Sequence, residues 1–220
     1  MLFRSCENLF LLADQNNFFM KKVKSGKVIE YKLANLDHIR KILKLDYINL
    51  KAIQAKKFKV VIDAVNGAGS KILPDLCGKL GCEVIEINCK GDGEFKRIPE
   101  PLAENLKQLE RKVLETKADI GFATDPDGDR LSIVSNSGRA IGEEYTLVLA
   151  YKNYLNYNKT PIVTNLSTSM MIDNLGQKSI RTKIGEAHVV SKMIELGAEI
   201  GGEGNGGVIA KQVHLGRDSL

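Results

Sequence analysis

The chain has 220 residues, enough for one large or two modest domains with a real core. Its 32 basic and 27 acidic residues leave a net charge of +5, with no long basic run and no aromatic residues interleaved among basic ones. That pattern argues against a nucleic-acid binder while favouring small anionic ligands. Cys6, Cys77, Cys82 and Cys89 form no CxxC pair, and two of them fall in segments that read as buried, which disfavours a zinc site and points to reduced thiols. The apolar stretch Leu9 to Ala13 is too short for a signal-peptide core, and nothing approaches the ~20 residues of a membrane span, so a soluble cytoplasmic protein is expected.

Residues 1–56 read as a connector: Asp14 to Asn17 and Lys21 to Lys27 are polar, and His38 to Ile53 carries Ile39, Ile42, Leu43 and Ile53 at roughly helical spacing, with no core of its own. A first domain is expected over residues 57–156. Lys59 to Ile62 is a β-branched strand that runs into a glycine turn at Asn66 to Gly69. A helix from Ser70 to Leu80, stopped by Gly81, and a strand over Glu83 to Ile87 complete a βαβ unit. After a proline-punctuated loop, Lys96 to Pro101, an amphipathic helix over Glu104 to Lys117 leads into the strand Ala118 to Thr124.

Asp125, Pro126, Asp127, Gly128, Asp129 and Arg130 follow. Alternating carboxylates put three oxygen donors on one side of a short turn, a donor set that suits Mg²⁺ or Ca²⁺ rather than zinc. Arg130 is the side chain best shaped to grip a phosphate. The flanks separate this site from a calcium-sensing EF-hand, because Ala118 to Thr124 and Leu131 to Ser135 read as strands, and the loop positions that need Gly and Glu hold Arg130 and Asn136. An inert acidic turn is disfavoured because three aspartates so close repel unless a cation neutralises them.

A helix from Glu143 to Leu155 and a polar break at Asn156 to Thr160 precede a second domain over 157–220. Its expected elements are a strand at Ile162 to Asn165, a short helix capped within Ser167 to Ser169, a strand at Ser179 to Ile184, and a helix over Glu186 to Leu196 stopped by Gly197. The segment Ala198 to Gly202, a glycine-rich loop Glu203 to Gly207 and a strand Val208 to Val213 come next. The last residues, Gly216 to Leu220, read as a helix start, so the frame is expected to be truncated, to leave a sheet face uncovered and to be sticky in isolation. Helices alternating with short strands argue an α/β layered fold.

Asn66 to Ile72, with Glu86 nearby, invites a dinucleotide reading, but Ile72 stands where a third glycine is needed, and a structural turn is the better account. The acidic turn also fits the opening of haloacid dehalogenase-like phosphatases, with Asp125 as nucleophile and Asp127 beside it. Asp129 replaces the usual Thr or Val of that family, and no later acidic pair completes its metal site. Glu203 and Asn205, among glycines that admit close approach, present acceptors and a donor suited to sugar hydroxyls, with a tight turn as the plain alternative. His188 and His214 read as surface or packing residues rather than proton carriers.

Taken in order, VVIDAVNGAG (60–69), PEPLAENL (99–106), ADIGFATDPDGDRL (118–131), RTKIGEAHV (181–189), GGEGNGGV (201–208) and GRDSL (216–220) resemble domains two and three of the α-D-phosphohexomutases. The GEGNGG form and the long connector look most like the phosphoglucosamine mutase subgroup. The resemblance implies two tandem three-layer α/β domains, with mixed sheets flanked by helices and the second domain truncated. It implies Mg²⁺ on Asp125, Asp127 and Asp129, Arg130 as partner of the transferred phosphoryl group, and Glu203, Asn205, Lys183, Gly185 and Glu186 at the sugar. It further implies an intramolecular phosphotransferase acting on hexose phosphates through a phosphoserine and a bisphosphate. The family's serine and its phosphate-gripping fourth domain match nothing in this sequence, so the chain alone is expected to be inactive without domains one and four of the same enzyme. A non-enzymatic remnant that binds metal or sugar phosphate is the third reading.

Overall fold

The computed structural model describes Leu11, Ala13 and residues 26–220; the expectations for Cys6, Asp14 to Asn17 and Lys21 to Ser25 lie outside the described residues. From Leu33 onward the chain forms one unit. It opens with two helices, α1 (Ala34–Ile42) and α2 (Leu50–Lys56), rather than one continuous helix over His38 to Ile53. The break falls at Leu43, after which Leu45, Tyr47 and Ile48 turn into the packed interior. Asn49 then caps α2 by accepting the amide of Ala52.

The first sheet contains β1 (Lys59–Asp63), β2 (Glu83–Ile87), β3 (Ile120–Thr124) and β4 (Leu131–Ser135) in the order β2-β1-β3-β4, parallel except for β4. Alternation along β1 divides its side chains between two layers. Val60 and Ile62 pack with Leu73 and Cys77 of α3 (Gly69–Lys79), while Val61 packs with Leu109 and Val113 of α4 (Lys107–Thr116). The amphipathic helix starts three residues later than the sequence suggests, because Ala103–Asn105 forms a separate 3₁₀ turn tied back by the Asn105 amide to the Glu100 carbonyl.

A long helix, α5 (Glu144–Tyr154), carries the chain to β5 (Val163–Asn165), and a 3₁₀ turn, Met170–Leu175, leads to β6 (Ile180–Thr182). Then come α6 (Glu186–Leu196), β7 (Ile200–Glu203) and β8 (Gly207–Ala210), in the order β6-β5-β7-β8, again parallel except for the last strand. The two sheets share one topology. Both faces of the second sheet are covered: Ile162 and Ile200 lie under Leu147 and Tyr151 of α5, and Val163 and Ile209 lie under Val189 and Met193 of α6. The expected bare sheet face is thus corrected, and the physical reason is that four short strands need only these two helices. Residues 216–220 form no helix; Asp218 bridges to Val208 instead. Among the described residues no helix is long and apolar enough to cross a membrane.

Candidate active site

In each sheet the last strand is antiparallel and is reached by a short reversal. The Asp125 to Arg130 loop joins β3 to β4, and Gly204 to Gly206 joins β7 to β8, so the two loops hold equivalent places in the repeated topology. They also touch. The Leu131 amide donates to the Gly206 carbonyl at 3.1 Å, and the Ser219 amide donates to the Gly128 carbonyl at 3.1 Å. Gly206 has a φ of 94°, and a Cβ there would lie 2.5 Å from the Leu131 carbonyl oxygen.

Asp125, Asp127 and Asp129 each bring a carboxylate oxygen within 4.8 Å of the others. Asp125 is buried; its Oδ1 accepts the amides of Asp129 and Arg130, and its Oδ2 accepts Arg130 Nε at 2.5 Å. Burial pulls its pKa upward, but the hydrogen bonds from Arg130 and Asp129 and the Arg130 charge prevail and hold it below the usual carboxylate range. Asp129 takes the opposite course: burial first, then the neighbouring Asp125 and Asp127, push it up to about 7 despite Arg217. Three convergent all-oxygen donors, one forced toward protonation by the others, fit a hard dication.

Arg130 is clamped. Besides Asp125, its two terminal nitrogens grip the Glu100 carboxylate, Nη2 at 3.0 Å from Oε1 and Nη1 against Oε2. Glu100, half-exposed, therefore occupies the fork of the Arg130 guanidinium. The loop rests on the Asn66 to Gly69 turn, whose Ala68 amide donates to the Pro126 carbonyl at 2.8 Å, so that turn is structural rather than a pyrophosphate cradle. Below it, buried Asp63 pairs with Arg97 at 3.0 Å, and Arg97 also donates to the Thr124 carbonyl at the end of β3.

Arg217 joins the two loops. Its guanidinium contacts Asp129 Oδ2, Glu203 Oε2 at 2.9 Å and Glu186 Oε2 at 3.1 Å. Glu203 ends β7 rather than lying free in the loop, and it is buried, its Oε1 accepting from Asn165 and from the Gly185 amide. Asn205 accepts the Gly207 amide and is half-buried, Lys183 is exposed, and Gly185 precedes α6 with a φ of 118°. Arg217 thus ties Asp129 of the acidic loop to Glu203 and Glu186, with Gly185 beside Glu203, while Glu100 and Asn165 join as partners of Arg130 and Glu203; Lys183 and Asn205 adjoin this group only in sequence. Arg217 and Glu100 fall within quoted motifs, GRDSL and PEPLAENL, whereas Asn165 carried no such signal. His214 is exposed at the surface, and it and His38 each approach Asp218.

Residues 36–138 match the family described as phosphoglucomutase/phosphomannomutase, alpha/beta/alpha domain II, and residues 142–220 match its domain III. The chain belongs to the phosphoglucomutase/phosphomannomutase family. It is 36% identical over 197 residues to a Methanopyrus kandleri protein named "Probable phosphoglucosamine mutase", covering 86% of this chain and 42% of that one. It is 40% identical over 177 residues to the "Phosphoglucomutase/phosphomannomutase" of Thermococcus kodakarensis, covering 78% of this chain and 39% of the relative. The crystal structure of a phosphoglucomutase/phosphomannomutase family protein from Burkholderia thailandensis superposes with a TM-score of 0.75 at 28% identity, over 98% of this chain and 46% of that chain. The chain thus spans less than half the length of these family members.

Family membership also bears on the haloacid dehalogenase-like alternative. Both matched domains are of the phosphoglucomutase/phosphomannomutase type, which disfavours that alternative.

Proposed function

We propose that this chain supplies the metal-binding and sugar-binding half of a phosphohexomutase, which interconverts hexose 6-phosphate and hexose 1-phosphate through a phosphoserine and a bisphosphate. We assign Mg²⁺ as the cofactor and glucosamine phosphate as the preferred substrate. The phosphoserine and the phosphate clamp then reside in domains one and four, and the enzyme works in the cytoplasm without nucleic acid or membrane. The observation that carries this reading is the single arginine, Arg217, contacting both Asp129 of the acidic loop and Glu203 and Glu186 of the sugar side.

Asp125, Asp127 and Asp129 hold the ion, which when bound supplies positive charge beside the transferring phosphoryl oxygens. Asp125 has a second task, fixing the plane of the Arg130 guanidinium through Nε. A phosphoryl group reaches Arg130 by displacing Glu100, an exchange of one bidentate anion for another at a half-exposed position. The hexose lies against Asn205, Lys183, Gly185, Glu186 and Glu203, whose mixed donors and acceptors serve a sugar presented in either orientation. Buried Cys77 and half-buried Cys89, with thiols pushed up to about 12 and about 11 by burial, take no part and fit a reducing compartment.

Calorimetry of the chain with glucosamine, glucose and mannose 1,6-bisphosphates in Mg²⁺ tests the reading. Binding is expected, tightest for glucosamine and lost in Asp127→Asn, while the chain alone shows no mutase turnover. Failure to bind any of the three overturns the assignment. Equal binding of all three overturns only the glucosamine preference, leaving phosphoglucomutase/phosphomannomutase specificity.

A further inference from the structure

We propose that His38, His214 and Asp218 form a second metal site, for a zinc-type transition-metal dication, that clips α1 to the stretch following β8. The three residues offer two imidazole nitrogens and one carboxylate oxygen, all within 4.8 Å of one another. His38 Nε2 lies 2.7 Å and His214 Nε2 3.1 Å from the same oxygen, Asp218 Oδ2. A tetrahedral ion with bonds of about 2.0–2.2 Å needs its ligand atoms roughly 3.3 Å apart, so the His38 contact has to open by about 0.6 Å and the His214 contact by about 0.2 Å. Two nitrogens and one oxygen suit zinc and are a poor set for Mg²⁺, which the all-oxygen aspartates prefer. The cysteine pattern disfavoured zinc; the histidines supply ligands that cysteine counting does not register.

The ligands are held from behind. Asp218 Oδ1 accepts the Leu220 amide at 3.0 Å, which leaves Oδ2 turned to the imidazoles, and the Asp218 amide donates to the Val208 carbonyl at 2.9 Å. The His214 amide donates to the Ala210 carbonyl at 3.1 Å. His38 is fixed by its neighbours Ile39 and Ile42, which are buried against Leu76 and Val213. Outer contacts of this kind orient a ligand set before the ion arrives. His38, His214 and Asp218 line a cavity of about 300 Å³ shared with Asp127 and Arg217, so the remaining coordination position opens onto solvent next to the acidic loop.

The inference stands independently of the phosphohexomutase reading. The full chain, stripped of metal and returned to saturating Mg²⁺, is titrated with Zn²⁺ against a chromophoric chelator. One equivalent is expected to bind, and His38→Ala and His214→Ala each weaken it by tenfold or more. Co²⁺ substitution of the unmutated chain gives a readout free of folding effects, with visible d–d bands expected and no sulfur-to-metal charge transfer. Absence of those bands, appearance of a thiolate band, or Zn²⁺ binding unchanged in folded His38→Ala and His214→Ala overturns the site.

Discussion

Arg217 carries three carboxylates on one guanidinium, and Glu203, Asp129 and Glu186 expose only 6%, 20% and 33% of their side chains. Its removal leaves a cluster of like charges partly out of water. Arg217→Met is therefore expected to destabilise the chain by about 2–4 kcal/mol, below the figure for a fully buried pair because solvent screens Glu186. Arg217→Lys restores the charge but has no fork to span three partners, so it recovers less than half of the loss. Urea titrations of the three proteins measure this. Asp129 sets a pH dependence of its own. Its folded pKa of about 7 lies above the ordinary carboxylate value, so its contribution to stability is full at low pH and is lost as pH rises from about 4 through 7. Asp125, Glu100 and Asp173, all held below the usual range, act in the other sense and lose their contributions only in acid. Thermal melts in EDTA are expected to fall between pH 5 and pH 8, to flatten when Mg²⁺ is added, and to lose the slope in Asp129→Asn.

The turn between β1 and α3 supports the acidic loop through contact rather than chemistry. A Cβ on Gly67 would stand 2.4 Å from the Pro126 carbonyl oxygen, and two backbones cannot both yield at that distance. Gly67→Ala is expected to cost about 1–3 kcal/mol and to weaken Mg²⁺ binding at least tenfold, read by melting and by Mg²⁺ titration. Arg97→Leu acts one layer deeper. It strands fully buried Asp63, and a loss of about 3–5 kcal/mol is expected in the same melts. At this scale the sequence was a good guide. Glu83 to Ile87 and Leu131 to Ser135 are strands with the limits their β-branched runs imply, and α6 spans Glu186 to Leu196, stopped by Gly197 at a φ of 66°. These signals are local: period, turn glycine and cap. The 3₁₀ start of the helix ahead of β3 was not legible, because it depends on Asn105 reaching the Glu100 carbonyl rather than on periodicity.

Across the whole molecule the unreadable part was pairing. The convergence of the three aspartates could be read from six residues, yet nothing local shows that Arg217 meets Asp129 across 88 positions or that Arg130 is held by Glu100 across 30. The same holds for the opening helices. Their apolar positions read as a connector without a core because the partners are far along the chain: Ile39, Ile42 and Leu45 pack with Leu76 below the first sheet and Val213 beyond the second. Tyr47 adds an edge contact to Tyr154 of α5, with ring centroids 5.4 Å apart, and the Asn153 side chain donates to the Tyr47 carbonyl at 2.9 Å. One apolar seam thus touches both α/β layers, while Arg217 and the Gly206 to Leu131 bond join them at the cleft. Two sheets so coupled unfold together. Tyrosine fluorescence, in which Tyr47, Tyr151 and Tyr154 at the seam and beneath the second sheet are the buried or half-buried contributors among six tyrosines, and far-UV circular dichroism, which reports both sheets, are expected to give one coincident urea transition. Ile39→Ala lowers its midpoint by the equivalent of about 2–4 kcal/mol without splitting it. Separate midpoints in the unmutated chain would show instead that the sheets are stable apart and that the seam only brings them into contact.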